Sequence, residues 1–218
     1  MHYLANPARF LRIAKALTPW LLWPGLGLLL AGCYGGLFMS PPDYLQGETV
    51  RMLYIHVPAA WLGMAGWGGI GAASLMYLVW RHPLAAVAAK AVAAPGAIFT
   101  ALGRMTSMLV MLFLYLGYLA FAGALREKSD NDRALAVFGV IGVVNLPIIH
   151  GSVIWWKSLH QPPSLGMKGS AIASEILWPL GLTMAGFTLL FAAIVLMRMR
   201  TMLATAKTEA RMLRMALD

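Results

Sequence analysis

Residues 84–125 decide how often the chain crosses a membrane, and they read LAAVAAKAVAAPGAIFTALGRMTSMLVMLFLYLGYLAFAGAL. It is apolar almost throughout, and it is about twice as long as the ~20 helical residues that span a bilayer core. Its main interruptions are Lys90, the pair Pro95–Gly96 and the dipeptide Gly103–Arg104. The stretch is therefore either one long helix or two spans joined by a very short turn.

The whole chain is far more apolar than one soluble core could accommodate. Of its 218 residues, 60% are hydrophobic and 11% are charged, and the mean hydropathy is +0.72. This composition indicates an integral membrane protein. The formal charge of +9 does not indicate a nucleic-acid partner, because the basic residues lie at the ends of apolar runs without an aromatic-basic motif. We expect the lipid bilayer, and no nucleic acid, around the chain.

Six apolar runs are long enough to cross a bilayer. They are residues 19–39, 57–80, 84–102, 105–125, 134–156 and 171–198. The sequence therefore predicts an all-α polytopic membrane protein that forms a single six-span domain, residues 1–218. Its last part, residues 199–218, is a basic helical tail suited to an anionic lipid surface or to a cytoplasmic partner.

The distribution of basic residues favours six spans over five. Lysine and arginine accumulate in loops that stay in the cytoplasm. With six crossings, the basic N-terminal segment, the turn at 80–84, the loop at 126–133 and the tail all lie on one side. A single helix over residues 84–125 would move the arginine-rich tail to the opposite side. The charge pattern thus predicts six transmembrane helices with both termini cytoplasmic.

Two histidines lie at the external boundary of this layout, although more than 100 positions separate them. His56 closes the first external loop, GETVRMLYIHVPAAW (47–61), and His160 follows the fifth run in WWKSLHQPP (155–163). Neutral imidazole is a common ligand of iron, and one histidine from each of two helix ends could fill both axial positions of a haem. The alternative is that both are ordinary hydrogen-bonded surface residues at helix ends.

Aromatic and basic residues accompany both histidines. Trp155, Trp156 and Tyr54 offer flat apolar faces to a planar ring, and Arg51 and Lys157 are positioned to meet propionates. Tryptophan and tyrosine are also the usual residues of a membrane-water interface, so both interpretations stay open. A third histidine, at position 150, lies inside the fifth run and is expected to bond to a neighbouring helix. No Walker A, paired-carboxylate or Ser-His-Asp pattern is present, and no catalytic residue is predicted.

At these residues the chain resembles the CcmC family, the haem-handling membrane subunits of bacterial cytochrome c maturation. The resemblance is carried by QGETVRMLYIHVPAAWLGM (46–64), GRMTSMLVMLFLYLGY (103–118) and VIWWKSLHQPPSL (153–165). It implies that His56 and His160 hold haem b at the periplasmic face of the bacterial inner membrane. The haem would be passed to a periplasmic haem chaperone, so the family binds and transfers haem and is not enzymatic. The implied partners are the ATPase and membrane subunits of an ABC transporter and a small single-span subunit.

The resemblance also implies a tryptophan-rich external segment, of pattern WGxxWxWD, between the third and fourth spans. This sequence instead reads FTALGRMTS (99–107) at that point. Because Gly103–Arg104 is an unusually short reversal for two full spans, we predict that Leu102 and Gly103 are not peptide-bonded.

Two other functions remain in competition with haem transfer: a permease for a small substrate, and a ligand-free scaffold subunit of an ABC transporter.

Overall fold

The computed structural model describes residues 6–44, 47–102, 106–125, 131–155, 165–166, 169–170 and 172–217, without the side chains of 106–107, 131, 152–155, 165–166 and 169–170. Seven α-helices lie within these ranges. They are α1 (Pro7–Tyr34), α2 (Leu53–Trp80), α3 (Pro83–Leu102), α4 (Thr106–Ala124), α5 (Asn131–Gly142), α6 (Asn145–Trp155) and α7 (Ser174–Leu217). A π-helical turn (Gly35–Met39) follows α1, a 3-10 turn (Glu48–Met52) precedes α2, and strands β1 (Leu165–Gly166) and β2 (Gly169–Ser170) form a minimal antiparallel pair.

The protein is an all-α polytopic membrane protein, as the sequence predicts. In the described part of the chain, five helical segments are long and apolar enough to cross a membrane, and Met108–Ala124 is a shorter apolar helix. The five segments are Pro7–Met39, Glu48–Trp80, Pro83–Leu102, Asp132–Gly151 and Ser174–Leu217. α7 has 44 residues, or about 66 Å at 1.5 Å per residue. It is about twice as long as a bilayer core of about 30 Å, so the predicted tail continues the last helix beyond that core.

Helices α1 and α7 pack closely side by side because glycines line their contact. A Cβ atom on Gly32 would lie 2.7 Å from the backbone nitrogen of Thr183, and one on Gly186 would lie 2.5 Å from that of Leu29. Only glycine permits this backbone approach, which is the usual basis of helix association in a membrane. Since Gly25 also meets Leu189, positions rise along α1 as they fall along α7. The two helices are antiparallel.

Helices α3 and α4 form an antiparallel hairpin, which confirms two separate helices within residues 84–125. Gly96 lies against the ring of Tyr115, and a Cβ at Gly96 would meet that ring at 2.4 Å. Farther back along α3, Ala89 lines a small cavity together with Tyr118. Tyr115 also donates a 2.8 Å hydrogen bond to the carbonyl oxygen of Gly63 in α2, which ties the hairpin to α2.

The fifth apolar run is divided into two helices, whereas the sequence predicts one run over 134–156. α5 ends at Gly142 and α6 begins at Asn145. Pro147 explains the break, because its ring clashes with the carbonyl group four residues earlier, at Val143, and it has no N–H to donate. Gly142 is also pressed against Trp67, where a Cβ would lie 2.3 Å from the indole ring. The fully buried Trp67 therefore occupies the space beside the break.

The partners of α5 along α2 show that these helices are antiparallel. Gly139 lies against Ser74, and Gly142, one turn later, lies against Trp67. In the first half of α3, Lys90 forms an ion pair with Asp132 at the start of α5. The chain therefore alternates direction through α2, α3, α4 and the α5–α6 segment.

Arg198 of α7 bonds to a backbone carbonyl group of α3 that has no partner within its own helix. Pro95 has no backbone N–H, so the carbonyl oxygen of Ala91, four residues earlier, loses its intrahelical partner. The Nε atom of Arg198 donates a 3.0 Å hydrogen bond to that oxygen. An unpaired carbonyl group costs several kcal/mol in a hydrocarbon environment, so this contact stabilises the α3–α7 interface.

Replacement of Arg198 by alanine is expected to lower the free energy of unfolding by about 1–3 kcal/mol, because the Ala91 carbonyl would be left unpaired. In a Pro95→Ala background, residue 95 regains its N–H and can donate to that carbonyl, so the same substitution should cost much less. Reversible unfolding of the four proteins of this cycle in detergent measures the coupling. Arg214→Ala, in the exposed end of α7, is the control. An equal loss of unfolding free energy on Arg198→Ala in the wild-type and the Pro95→Ala proteins would refute the proposed pairing.

Candidate functional site

The first turn of α2 carries His56. The 3-10 turn leads directly into α2, which begins at Leu53. The His56 side chain is partly exposed, and it is preceded by two exposed apolar residues, Met52 and Ile55. Residues four apart share a helix face, so Met52 and His56 point to the same side of α2. An imidazole beside exposed apolar groups suits a ligand that combines a metal with a large apolar ring.

Tyr54 lies beneath this turn instead of at its surface. Its side chain is completely buried, and its hydroxyl group shares a 2.6 Å hydrogen bond with the hydroxyl of Ser40. The ring lies against Gly36, where a Cβ would approach it to 2.4 Å. Tyr54 therefore attaches the start of α2 to the end of the first helical segment. In this arrangement it can orient His56 but offers no exposed ring face.

Arg51 is held by a neighbouring carboxylate. Its Nε atom lies 2.6 Å from Oε2 of Glu48 within the 3-10 turn, and the two side chains are 32% and 68% exposed. An ion pair this exposed contributes at most about 1 kcal/mol. Arginine has five N–H donors, so Arg51 can meet a second anion without releasing Glu48.

The C-terminal end of α6 lies at the same end of the bundle as His56. Leu146, in the first turn of α6, lies against Gly68 of α2, and from there α6 extends about 14 Å to Trp155, at 1.5 Å per residue. On the antiparallel α2, His56 lies about 18 Å from Gly68 in the same direction. The packing of α5 and α6 on α2 thus directs the described end of α6 toward the end of α2 that carries His56.

The second half of the predicted site falls outside the described residues. Trp155 ends α6, but its side chain is not among those described. Trp156, Lys157 and His160 lie outside the described residues altogether. In the preceding helix, His150 is exposed on α6. The described part of the predicted site consists of Arg51, Tyr54 and His56.

The structure adds residues to the site that sequence reasoning missed. Ser40 and Gly36 hold Tyr54, and Val50 packs with Tyr54, Ile176 and Leu180 in one apolar cluster. The pair Gly35–Gly36 at the end of the first apolar run was the available signal, because adjacent glycines often mark a close approach. No metal-binding group of three or more histidine, cysteine or acidic side chains occurs among the residues searched, which are the described ones.

A family model described as "Heme exporter protein C" matches residues 1–103 and 103–214. The chain belongs to the Heme exporter protein C family. It is 44% identical to the "Heme exporter protein C" of Bradyrhizobium diazoefficiens, over 90% of this chain and 82% of that protein. It is 38% identical to that of Escherichia coli K12, over 93% and 90% of the two chains. The relative from Paracoccus denitrificans is 34% identical over 96% of each chain.

The family match is interrupted at one position, between α3 and α4. Its two parts meet at residue 103. The alignment with the Bradyrhizobium relative has 218 positions but uses only 90% of this 218-residue chain, so about a tenth of its positions are empty in this chain. In this sequence Gly103 directly follows Leu102. The relatives therefore have positions without a counterpart in this chain, and the two parts of the family match meet just after α3.

A short connection between membrane helices has a precedent within the same molecule. α2 ends at Trp80 and α3 begins at Pro83, so only Arg81 and His82 join them. Arg81 adopts a left-handed backbone conformation, with φ of 53°, and its N–H bonds to the carbonyl of Tyr77. Two residues can therefore join two membrane helices in this protein, and the shortness of Gly103–Arg104 does not by itself require a missing segment. Gly103 lies outside the described residues, so the predicted break after Leu102 stays a prediction about that segment.

Proposed function

We propose that this chain binds haem at the external face of the inner membrane and presents it to a periplasmic haem chaperone during c-type cytochrome biogenesis. The observation that carries the proposal is that α6, the helix before His160, runs toward the end of α2 that carries the partly exposed His56. Membership of a family whose members are named heme exporters supports the same ligand. Haem is the cargo in this proposal, and the chain contributes binding and orientation.

In the proposed site, His56 and His160 supply the two axial nitrogen ligands of haem b. Trp155 and Trp156 flank the ring, and Lys157 would meet a propionate from the α6 side. Arg51, whose guanidinium is partly exposed beside Glu48, would meet a propionate from the α2 side. Tyr54 acts from below by fixing the first turn of α2.

The described residues fit such a cargo. His56 is partly exposed and lies beside Met52, which is 60% exposed, and Ile55, which is 40% exposed. These apolar groups can cover part of a porphyrin face while the imidazole reaches the iron. Tyr54 has its hydroxyl bonded to Ser40 and its ring against Gly36, so the backbone that carries His56 is held before the cargo arrives. Such preorganisation lowers the entropic cost of binding.

The purified chain is expected to take up added haem and to show the absorption spectrum of a haem with two nitrogen ligands. The measurement is a haem titration of the detergent-solubilised protein, with an unrelated six-span protein as the control for haem partitioning into micelles. A chain that takes up no more haem than this control would refute the proposal and would favour the ligand-free scaffold. Uptake of a small substrate into vesicles would favour the permease.

We also propose that both termini are cytoplasmic, which places His56 on the periplasmic side. Arg200 near the end of the apolar part of α7 approaches Thr18 near the start of α1, so the basic ends of both helices lie together, and basic segments stay in the cytoplasm. Topology reporters fused within residues 126–133 and after residue 217 should both report a cytoplasmic position. A reporter inserted after Tyr44 should report the periplasm. A periplasmic signal from the tail would contradict this orientation.

The proposed orientation also places the proposed partners. On the cytoplasmic side, the tail could meet the ATPase of an ABC transporter. Within the bilayer, the chain could meet the transporter's membrane subunits and a small single-span subunit.

A further inference from the structure

A groove between α1 and the extension of α7 has no role in the proposed haem site. It is an open groove of about 510 Å³, lined by Leu11, Lys15, Met197, Arg200, Thr201 and Ala204. This volume lies within the usual range of ligand sites, about 300–1,000 Å³. The lining combines two cations, one hydroxyl group and an apolar wall, and none of these six residues is acidic. The groove therefore matches a ligand with an anionic head and an apolar body.

Arg200 is oriented towards this groove by a buried threonine. The hydroxyl of Thr18 donates a 2.6 Å hydrogen bond to the carbonyl oxygen of Ala14, which leaves its oxygen available as an acceptor. A terminal nitrogen of Arg200 lies 3.5 Å from that oxygen. Thr18 is only 6% exposed, so it holds one edge of the guanidinium against α1. The remaining N–H groups of Arg200 can then meet an anion in the groove, opposite Lys15.

The depth of the groove matches the headgroup region of a bilayer. Trp20 and Trp23 of α1 are 77% and 68% exposed, and tryptophan concentrates at the membrane-water interface. Lys15 precedes Trp20 by five residues, or about 7.5 Å along the helix on the side away from the membrane. The exposed Leu17 lies between them. A headgroup bound between Lys15 and Arg200 would thus have its chains directed along α1 into the bilayer.

From this geometry we infer that the α1–α7 groove is a specific site for an anionic phospholipid, whose phosphodiester lies between Lys15 and Arg200. Basic pockets between membrane helices on the cytoplasmic side are the expected sites of anionic headgroups. A zwitterionic lipid of the same chain length has no net charge to offer these two cations. The bound lipid would fasten α1 to α7 at the cytoplasmic end, beyond the glycine contacts of Gly25, Gly32 and Gly186.

The test uses the full chain in micelles with equal amounts of dioleoyl phosphatidylglycerol and dioleoyl phosphatidylcholine, and native mass spectrometry counts the retained lipids. The wild-type chain should retain phosphatidylglycerol preferentially. Lys15→Gln with Arg200→Gln should reduce that preference about tenfold, as expected for the loss of two basic contacts. The matched control, Arg12→Gln with Lys207→Gln, removes the same charge from the same two helices outside the groove and should change it less than twofold. An unchanged preference in the groove variant, or an equal loss in the control, overturns the inference.

Two further arms test whether charge is what the groove recognises and whether the ligand is a lipid. Lys15→Arg with Arg200→Lys keeps both charges and should retain the preference, so a loss as large as in the glutamine pair would refute charge recognition. Inorganic phosphate at millimolar concentration should not displace the lipid, and displacement would identify a phosphate site instead. The thermal midpoint of each variant in phosphatidylcholine alone shows whether it is folded.

Discussion

Replacement of either His56 or His160 by alanine is expected to abolish the two-ligand haem spectrum of the purified chain. Each substitution removes one of the two proposed axial nitrogens, and a ring held by one histidine and apolar contacts is bound far more weakly. We expect at least a tenfold loss of haem affinity in each variant, by analogy with the loss of a metal ligand or its support. The His56→Ala variant should keep its fold, because the His56 side chain is partly exposed at the first turn of α2 and lies outside the apolar clusters.

His150→Ala is the matched control for this experiment. His150 lies in α6, is exposed, and precedes the proposed ligand by ten residues. Titration of the three variants with haem, followed by their absorption spectra, gives the affinity and the ligand number. An unchanged spectrum in both the His56 and His160 variants would eliminate the proposed ligands. A larger change in the His150 variant than in the His160 variant would move the ligand into α6.

Insertion of a tryptophan-rich segment between Leu102 and Gly103 is expected to increase haem retention by at least tenfold. The end of α3 lies at the same end of the bundle as His56, because α2 and α3 are antiparallel and Gly63 of α2 meets Thr100 near the end of α3. A segment inserted there would lie over the proposed site. Each tryptophan that stacks on the ring removes about 150–250 Å² of apolar surface from water, so several of them contribute a large binding energy.

The inserted segment should follow the pattern WGxxWxWD that the family resemblance implies, within a loop of the length found in the relatives. A glycine-serine segment of equal length is the control, since it tests the effect of a longer connection without aromatic groups. Haem retained after size-exclusion chromatography is the measurement. Equal haem retention with both insertions would show that the tryptophan side chains do not increase haem binding. Strong retention by the chain without any insertion would show that the residues of α2 and the α6 end suffice.

Local sequence was sufficient to predict where most of the apolar helices lie. Only a helix satisfies its own backbone groups in hydrocarbon, so a run such as residues 57–80 must be helical whatever its neighbours are. The two helices within residues 84–125 also followed from sequence, since a loop-charge bias depends on the order of residues and not on packing. His56 was identified at a helix end for the same local reason.

Packing between distant helices set which side chains are accessible and what they contact. Tyr54 has the sequence environment of an interfacial aromatic residue, yet it is buried because Gly36 and Ser40, brought from another helix, receive its ring and hydroxyl. In the sequence Arg198 is only the last residue of the sixth apolar run, but it pairs with Ala91, more than 100 residues away. Helical periodicity specifies the face of a helix but not its rotation against a partner. Close glycine contacts set that rotation, and they form only when two helices that are distant in sequence meet.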